Sequence, residues 1–144
     1  MENRHGGKPS ALWHGIKAAK GEYVLFTDMD QSTPIDQLDK LLVFLGDDVG
    51  AIIGSRGLVR KNFPLYRKFG SIVFMAVRKL FILPEIDDTQ GGFKLFKKKV
   101  VEKGFPKLEF FRKKEKTVGW SVTSWDVELL HIIKKMGYKI EEVP

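Results

Sequence analysis

Residues 21–34, GEYVLFTDMDQSTP, decide the fold. Gly21 stops whatever precedes it, and residues 23–27 then form an apolar run that reads as a buried strand. Asp28 and Asp30 follow, one residue apart. Thr33 suits an N-cap and Pro34 a first helical residue, and Asp36 completes a capping-box-like spacing. Ile35, Leu38, Leu41, Leu42 and Leu45 then recur at helical spacing up to a stop at Gly46. Residues 51–54 are a second short apolar strand. Strand, helix and strand with short connections predict a parallel pair joined by a right-handed crossover. The class is therefore α/β, in which ligands bind at the carboxyl ends of strands. Asp28, Asp30, Ser55 and Arg56 all fall at such ends.

Working outward, Pro9 and Ser10 open a helix through Ala19, with Leu12, Ile16 and Ala19 on one face. Residues 92–96 and 118–122 read as strands, the first leading into a lysine cluster at 97–99. Thr123 and Asp126 have capping-box spacing for a helix through Met136, ended by Gly137. Residues 138–143 form a last strand. Residues 66–83 are a long helical candidate whose apolar surface is broader than one core-facing stripe. Arg60, Lys61, Arg67, Lys68, Arg78 and Lys79 bracket it, so it reads either as a membrane-interface helix or as a buried helix with basic ends.

The chain of 144 residues fits one domain with a real core. It carries 25 Lys and Arg against 18 Asp and Glu, a net +7, which favours anionic partners. There is no cysteine, which excludes disulfides and thiolate chemistry. Uninterrupted apolar stretches fall short of the roughly 20 residues that span a bilayer. His5, His14 and His131 are scattered and form no ligand pattern.

Two carboxylates at Asp28 and Asp30 suit Mg²⁺ or Mn²⁺, hard cations that keep positions open for substrate phosphates. Turn formation and helix capping account for the same residues. Gly6, Gly7 and Lys8 before a helix can hold a phosphate, or form a plain loop. Arg56 can pair with a diphosphate, or be a surface charge. The polar stretch DDTQGG at 87–92 is an active-site loop or an Asx-type turn.

Asn3 to Lys8 with the helix after it, GEYVLFTDMDQSTP, IIGSR, IDDTQGGFKLF and WDVELLHIIKKMGYKIEEVP occur in that order. Together they resemble glycosyltransferase family 2, with its GT-A fold, and within it the polyprenyl-phosphate sugar transferases of the dolichyl-phosphate glucosyl- and mannosyltransferase type. The resemblance covers almost the whole chain. It implies a mixed, mainly parallel sheet flanked by helices. It implies inverting, metal-dependent transfer of a hexose from a UDP- or GDP-sugar to a polyprenyl phosphate. Asp28 and Asp30 match the DxD that holds Mg²⁺ or Mn²⁺; Ser32 stands where some members have a glutamine ligand. Gly7 and Lys8 match a glycine–lysine loop near the nucleotide sugar, although Pro9 replaces its usual last glycine. Arg56 matches the arginine of the GSR motif, near phosphate or acceptor, and Gln90 and Lys94 lie in the DTQ-GF-K motif. Asp88 of that motif falls at the sugar and acceptor side, and Asp126 at the acidic position before the VELL helix. Either is the base candidate if the acceptor is a saccharide hydroxyl.

The resemblance also sets the expected setting. Residues 62–83 would meet the lipid acceptor at an anionic membrane surface, placing the protein peripherally on the cytoplasmic face. Such enzymes begin with a strand and loop that bind the nucleotide base, upstream of Asn3. The expectation is a partial GT-A domain over residues 1–144, lacking the first nucleotide-binding βα units and inactive alone. Its exposed sheet edge would favour a homo-oligomer. Two rivals remain. DMDQST resembles the nucleophile loop of haloacid-dehalogenase-type phosphatases, but a helix precedes it and Asp47 and Asp48 come too soon. A non-catalytic basic module for membranes or nucleic acid fits the charge, yet no nucleic-acid-binding motif is present and none is expected as partner.

Overall fold

The computed structural model describes residues 7–55, 86, 88, 91–112 and 125–144. Helix α1 (Gly7–Ala18) leads to strand β1 (Tyr23–Phe26). A 3₁₀ turn (Ile35–Gln37) runs into a short α2 (Leu38–Leu42), then β2 (Val49–Gly54). Strand β3 (Lys94–Lys97) passes into α3 (Lys98–Gly104), a 3₁₀ turn (Phe105–Lys107) and α4 (Glu109–Arg112). Helix α5 (Trp125–Lys135) and β4 (Lys139–Val143) close the order. The readings at 62–83, at 118–122 and at Thr123 lie outside the described residues, as do Arg56 and Gln90.

The sheet order is β1-β3-β2-β4. Strands β1 and β2 run the same way, as their short connection predicts, but they do not pair. Strand β3 lies between them, antiparallel to both, and β2 pairs parallel with β4. Three strands thus share one direction while two of the three ladders are antiparallel. The expected neighbouring parallel pair is corrected on this point. A strand arriving from far along the chain fills the slot that a β1–β2 pair would have used.

Period-two alternation divides the core between the two faces. Ala51 and Ile53 of β2 and Phe96 of β3 join Ile16, Val100, Val101, Phe105, Val127, Leu130 and Ile133 on the face covered by α1, α3 and α5. Ile52 and Leu95 point the other way, to Leu41, Val49, Phe93 and Val143, under α2. Strand β2 is buried on both faces, which is why it reads as an uninterrupted apolar run. On the first face Phe105 stacks on Trp13, with ring centroids 5.8 Å apart.

Two local expectations change. The helix after Asp30 starts later than Thr33. Pro34 is the N-cap, without a side-chain bond, and the first turn is 3₁₀. It also stops at Leu42, short of Gly46. Val43 is 80% exposed and Phe44 43%, so no packing extends so short a helix. Conversely, the lysine cluster at 97–99 opens α3, a helix missed in the sequence. Val100, Val101, Gly104, Phe105 and Leu108 are buried at helical spacing, and that pattern was the available signal. Gly137, predicted as a helix stop, takes φ +87° after α5. Asp126 and Glu128 in the first turn of α5 and Lys134 and Lys135 in its last complement the helix dipole.

Candidate functional site

The reversed direction of β3 builds the site. Its first residue, Lys94, pairs with Phe26, the last residue of β1. The start of β3 and the carboxyl ends of β1, β2 and β4 therefore share one edge of the sheet. A cleft opens there, lined by Lys8, Leu12, Thr27, Asp28, Gly92, Lys94, Trp125 and Asp126, among others.

Asp28 leaves β1 directly into this cleft. Its Oδ1 lies 3.3 Å from Lys8 Nζ, in the first turn of α1. The same ammonium sits 6.0 Å from the centre of the Trp125 ring, within cation–π reach. A Cβ at Gly92 would collide with the Asp28 carboxylate, so the backbone before β3 closes onto this side chain.

Lys94 is buried to 4% exposure. Its Nζ donates to the Gly91 carbonyl at 2.5 Å and lies 3.9 Å from Asp126 Oδ2. Burial pulls its pKa below the ordinary lysine range; Asp126 and Asp88 oppose that shift, Lys8 adds to it and Asp28 opposes it. One buried ammonium thus feels three carboxylates: Asp126 in α5, Asp88, and Asp28 just after β1.

Asp30 has a different setting. It sits in the turn after β1, where Gln31 takes φ 50° and donates its N–H to the Asp28 carbonyl. The Asp30 Oδ1 accepts the Ser32 N–H at 3.0 Å. The turn-forming role is therefore real for Asp30, and its second carboxylate oxygen stands outside that bond. Asp88 is held through its backbone. Its N–H donates to Glu142 Oε1 at 2.8 Å, and its Oδ2 lies 3.6 Å from where a Gly91 Cβ would stand.

The structure thus brings together Lys8, Asp28, Lys94 and Asp126, with Asp88 alongside and Asp30 on the adjoining turn. Gly7 is the first residue of α1. Sequence reading missed Trp125 and Glu142. Trp125 directly precedes Asp126, a position that could have marked it; nothing local marks Glu142. Among the described residues no three His, Cys, Asp or Glu side chains cluster as a complete cation cage. No described helix is long and apolar enough to cross a membrane.

A mixed α/β domain with a carboxylate–lysine cleft at its strand ends belongs to the class in which ligands bind at the carboxyl edge of the sheet. More narrowly, the chain belongs to glycosyl transferase family 2, whose profile matches residues 1–105. It is 33% identical to the dolichyl-phosphate beta-glucosyltransferase of Drosophila melanogaster, over 99% of this chain and 43% of that protein. It is 30% identical to the enzyme of the same name from Dictyostelium discoideum, over 95% of this chain and 42% of that one. Glycosyltransferase AglD of Haloferax volcanii is 26% identical over 96% of this chain and 21% of its own length. The chain spans less than half the length of these relatives.

Proposed function

We propose that this chain is the catalytic part of a transferase that moves a hexose from a nucleotide sugar to a polyprenyl phosphate, with inversion. One observation carries the reading: Asp28, Lys8, Lys94 and Asp126 converge at the sheet edge of a chain whose relatives are named dolichyl-phosphate glucosyltransferases.

The chemistry follows from charge. A phosphate oxygen of the acceptor is already anionic, so it attacks the anomeric carbon without a strong base. The bond from that carbon to the nucleotide diphosphate breaks with its electron pair on the leaving phosphate. The donor set fits Mg²⁺ or Mn²⁺: two acidic side chains, Asp28 and Asp30, leave most positions for water and phosphate oxygens. A cation held there would stabilise the departing diphosphate. Lys8, 64% exposed, would pair with a phosphate once Asp28 turned to the cation. Buried Lys94 keeps Asp126, Asp88 and Asp28 from repelling one another in so tight a space. Trp125 gives the cleft an apolar wall. With a saccharide hydroxyl as acceptor, Asp88 or Asp126 would instead serve as base.

The acceptor's lipid tail calls for a membrane surface. The basic, apolar residues 62–83 are the part of the sequence suited to meet it, peripherally and from the cytoplasmic side.

The decisive experiment is thermal unfolding with UDP- or GDP-glucose, with and without Mn²⁺. A stabilisation that needs the cation and disappears in Asp30→Ala supports the transferase. Stabilisation by DNA but by neither nucleotide sugar would replace it with a binding module.

A further inference from the structure

The sheet places four residues in one row at the cleft edge. Phe26 of β1 pairs with Lys94 of β3, Lys94 with Ile53 of β2, and Ile53 with Glu142 of β4. Paired residues share a face, and Phe26 and Ile53 belong to the core under α1, α3 and α5. Glu142 therefore stands on a core-facing side of the sheet. Ile140, two residues before it, packs into that same core. A carboxylate at such a position is costly unless donors reach it. The Asp88 N–H reaches it at 2.8 Å, from a residue remote in the chain. The carboxyl group of Asp88 meanwhile lies on the Gly91 and Lys94 side. Glu142 thus accepts the Asp88 N–H, while Lys94, its neighbour but one in the same row, donates to the Gly91 carbonyl.

We infer that Glu142 is a positioning residue: by accepting the Asp88 N–H it fixes where the Asp88 carboxylate stands in the cleft. It acts through Asp88 and touches no reacting atom. This rests on the transferase reading, because that reading gives Asp88 its role at the sugar and acceptor side. The chemistry required toward the Asp88 N–H is an oxygen acceptor. Glutamine keeps the oxygen and alanine removes it.

The test is a cycle in the full-length polypeptide, with glucosyl transfer to a polyprenyl phosphate as the assay. Glu142→Ala should lower kcat on the order of 10- to 100-fold, the loss expected when a group beside the reacting centre is misplaced by about 1 Å. The KM for the nucleotide sugar should stay near wild type. Glu142→Gln should remain within about threefold, since the acceptor atom survives. In an Asp88→Asn background, Glu142→Ala should add little, because both changes remove one function. Equal losses in the two backgrounds, or a Glu142→Gln as impaired as Glu142→Ala, would overturn the assignment.

Amide exchange at Asp88 separates this inference from the functional reading. If the wild type transfers no sugar, the transferase reading falls. Faster Asp88 exchange in Glu142→Ala, restored in Glu142→Gln, would still support the anchor. Unchanged exchange in Glu142→Ala would sink it.

Discussion

The Asp28 carboxylate occupies the space that a side chain on Gly92 would need. The two residues are distant in sequence, and each sets the limits of the other. Replacing Gly92 with alanine should push Asp28 out of the cleft. The expected stability cost is about 1–3 kcal/mol, typical of overpacking. The cation-dependent shift with nucleotide sugar should vanish, as in Asp28→Asn. A Gly92→Ala protein that keeps the full shift would show that Asp28 has room to spare.

Lys94 has a pKa depressed mainly by burial, so the pH dependence of stability can be given a sign. Between its folded value and the ordinary 10.5, the unfolded chain binds more protons than the native one. The stability contribution of this residue therefore rises with pH through that window, and its burial penalty is complete below it. Compared with Lys94→Met, the wild type should gain unfolding free energy from neutral pH to about pH 10. Urea titrations of both proteins would show it; a constant difference across that range would contradict it.

The Lys8–Asp28 pair should matter for ligand and little for folding. Its side chains are 64% and 34% exposed, so Lys8→Met should change stability by less than about 1 kcal/mol. Affinity for a nucleoside diphosphate with Mn²⁺ should fall on the order of tenfold, as a charge-assisted contact is lost. Calorimetric titration measures this directly. Undiminished affinity would remove Lys8 from the binding site.

Phe105 is fully buried, stacked on Trp13 and 6.1 Å from the Trp125 ring. Phe105→Ala should cost about 3–5 kcal/mol in urea unfolding. Val43→Ser, at an exposed position, should stay within about 0.5 kcal/mol. Similar values for the two would mean that the core does not lie where the packing puts it.

Much of the site was legible because its parts are local. An apolar run followed by Asp28 and Asp30 marks a strand end, and a glycine with a lysine before a helix marks a phosphate-like start. The DTQGGFKLF and WDVELL segments carried the resemblance that placed Lys94, Asp88 and Asp126. What local pattern could not supply was how each carboxylate is held. Asp28 and Asp30 look alike in sequence, yet one meets Lys8 and the other accepts the Ser32 N–H. Between them the turn at Gln31, with φ 50°, redirects the chain.

By itself, the sequence determined the α/β class, most of the strands and helices, and the family. Those follow from periodicity, helix stops and motif chemistry, all short-range. Only the tertiary structure decided that β3 runs backwards between β1 and β2. Only there does Lys94 come beside Asp28, does Gly92 close on that carboxylate, and does Glu142 take the Asp88 amide. Strand order is chosen by burying two whole sheet faces and completing ladders between remote residues. That is a property of the assembled core, and no single segment encodes it.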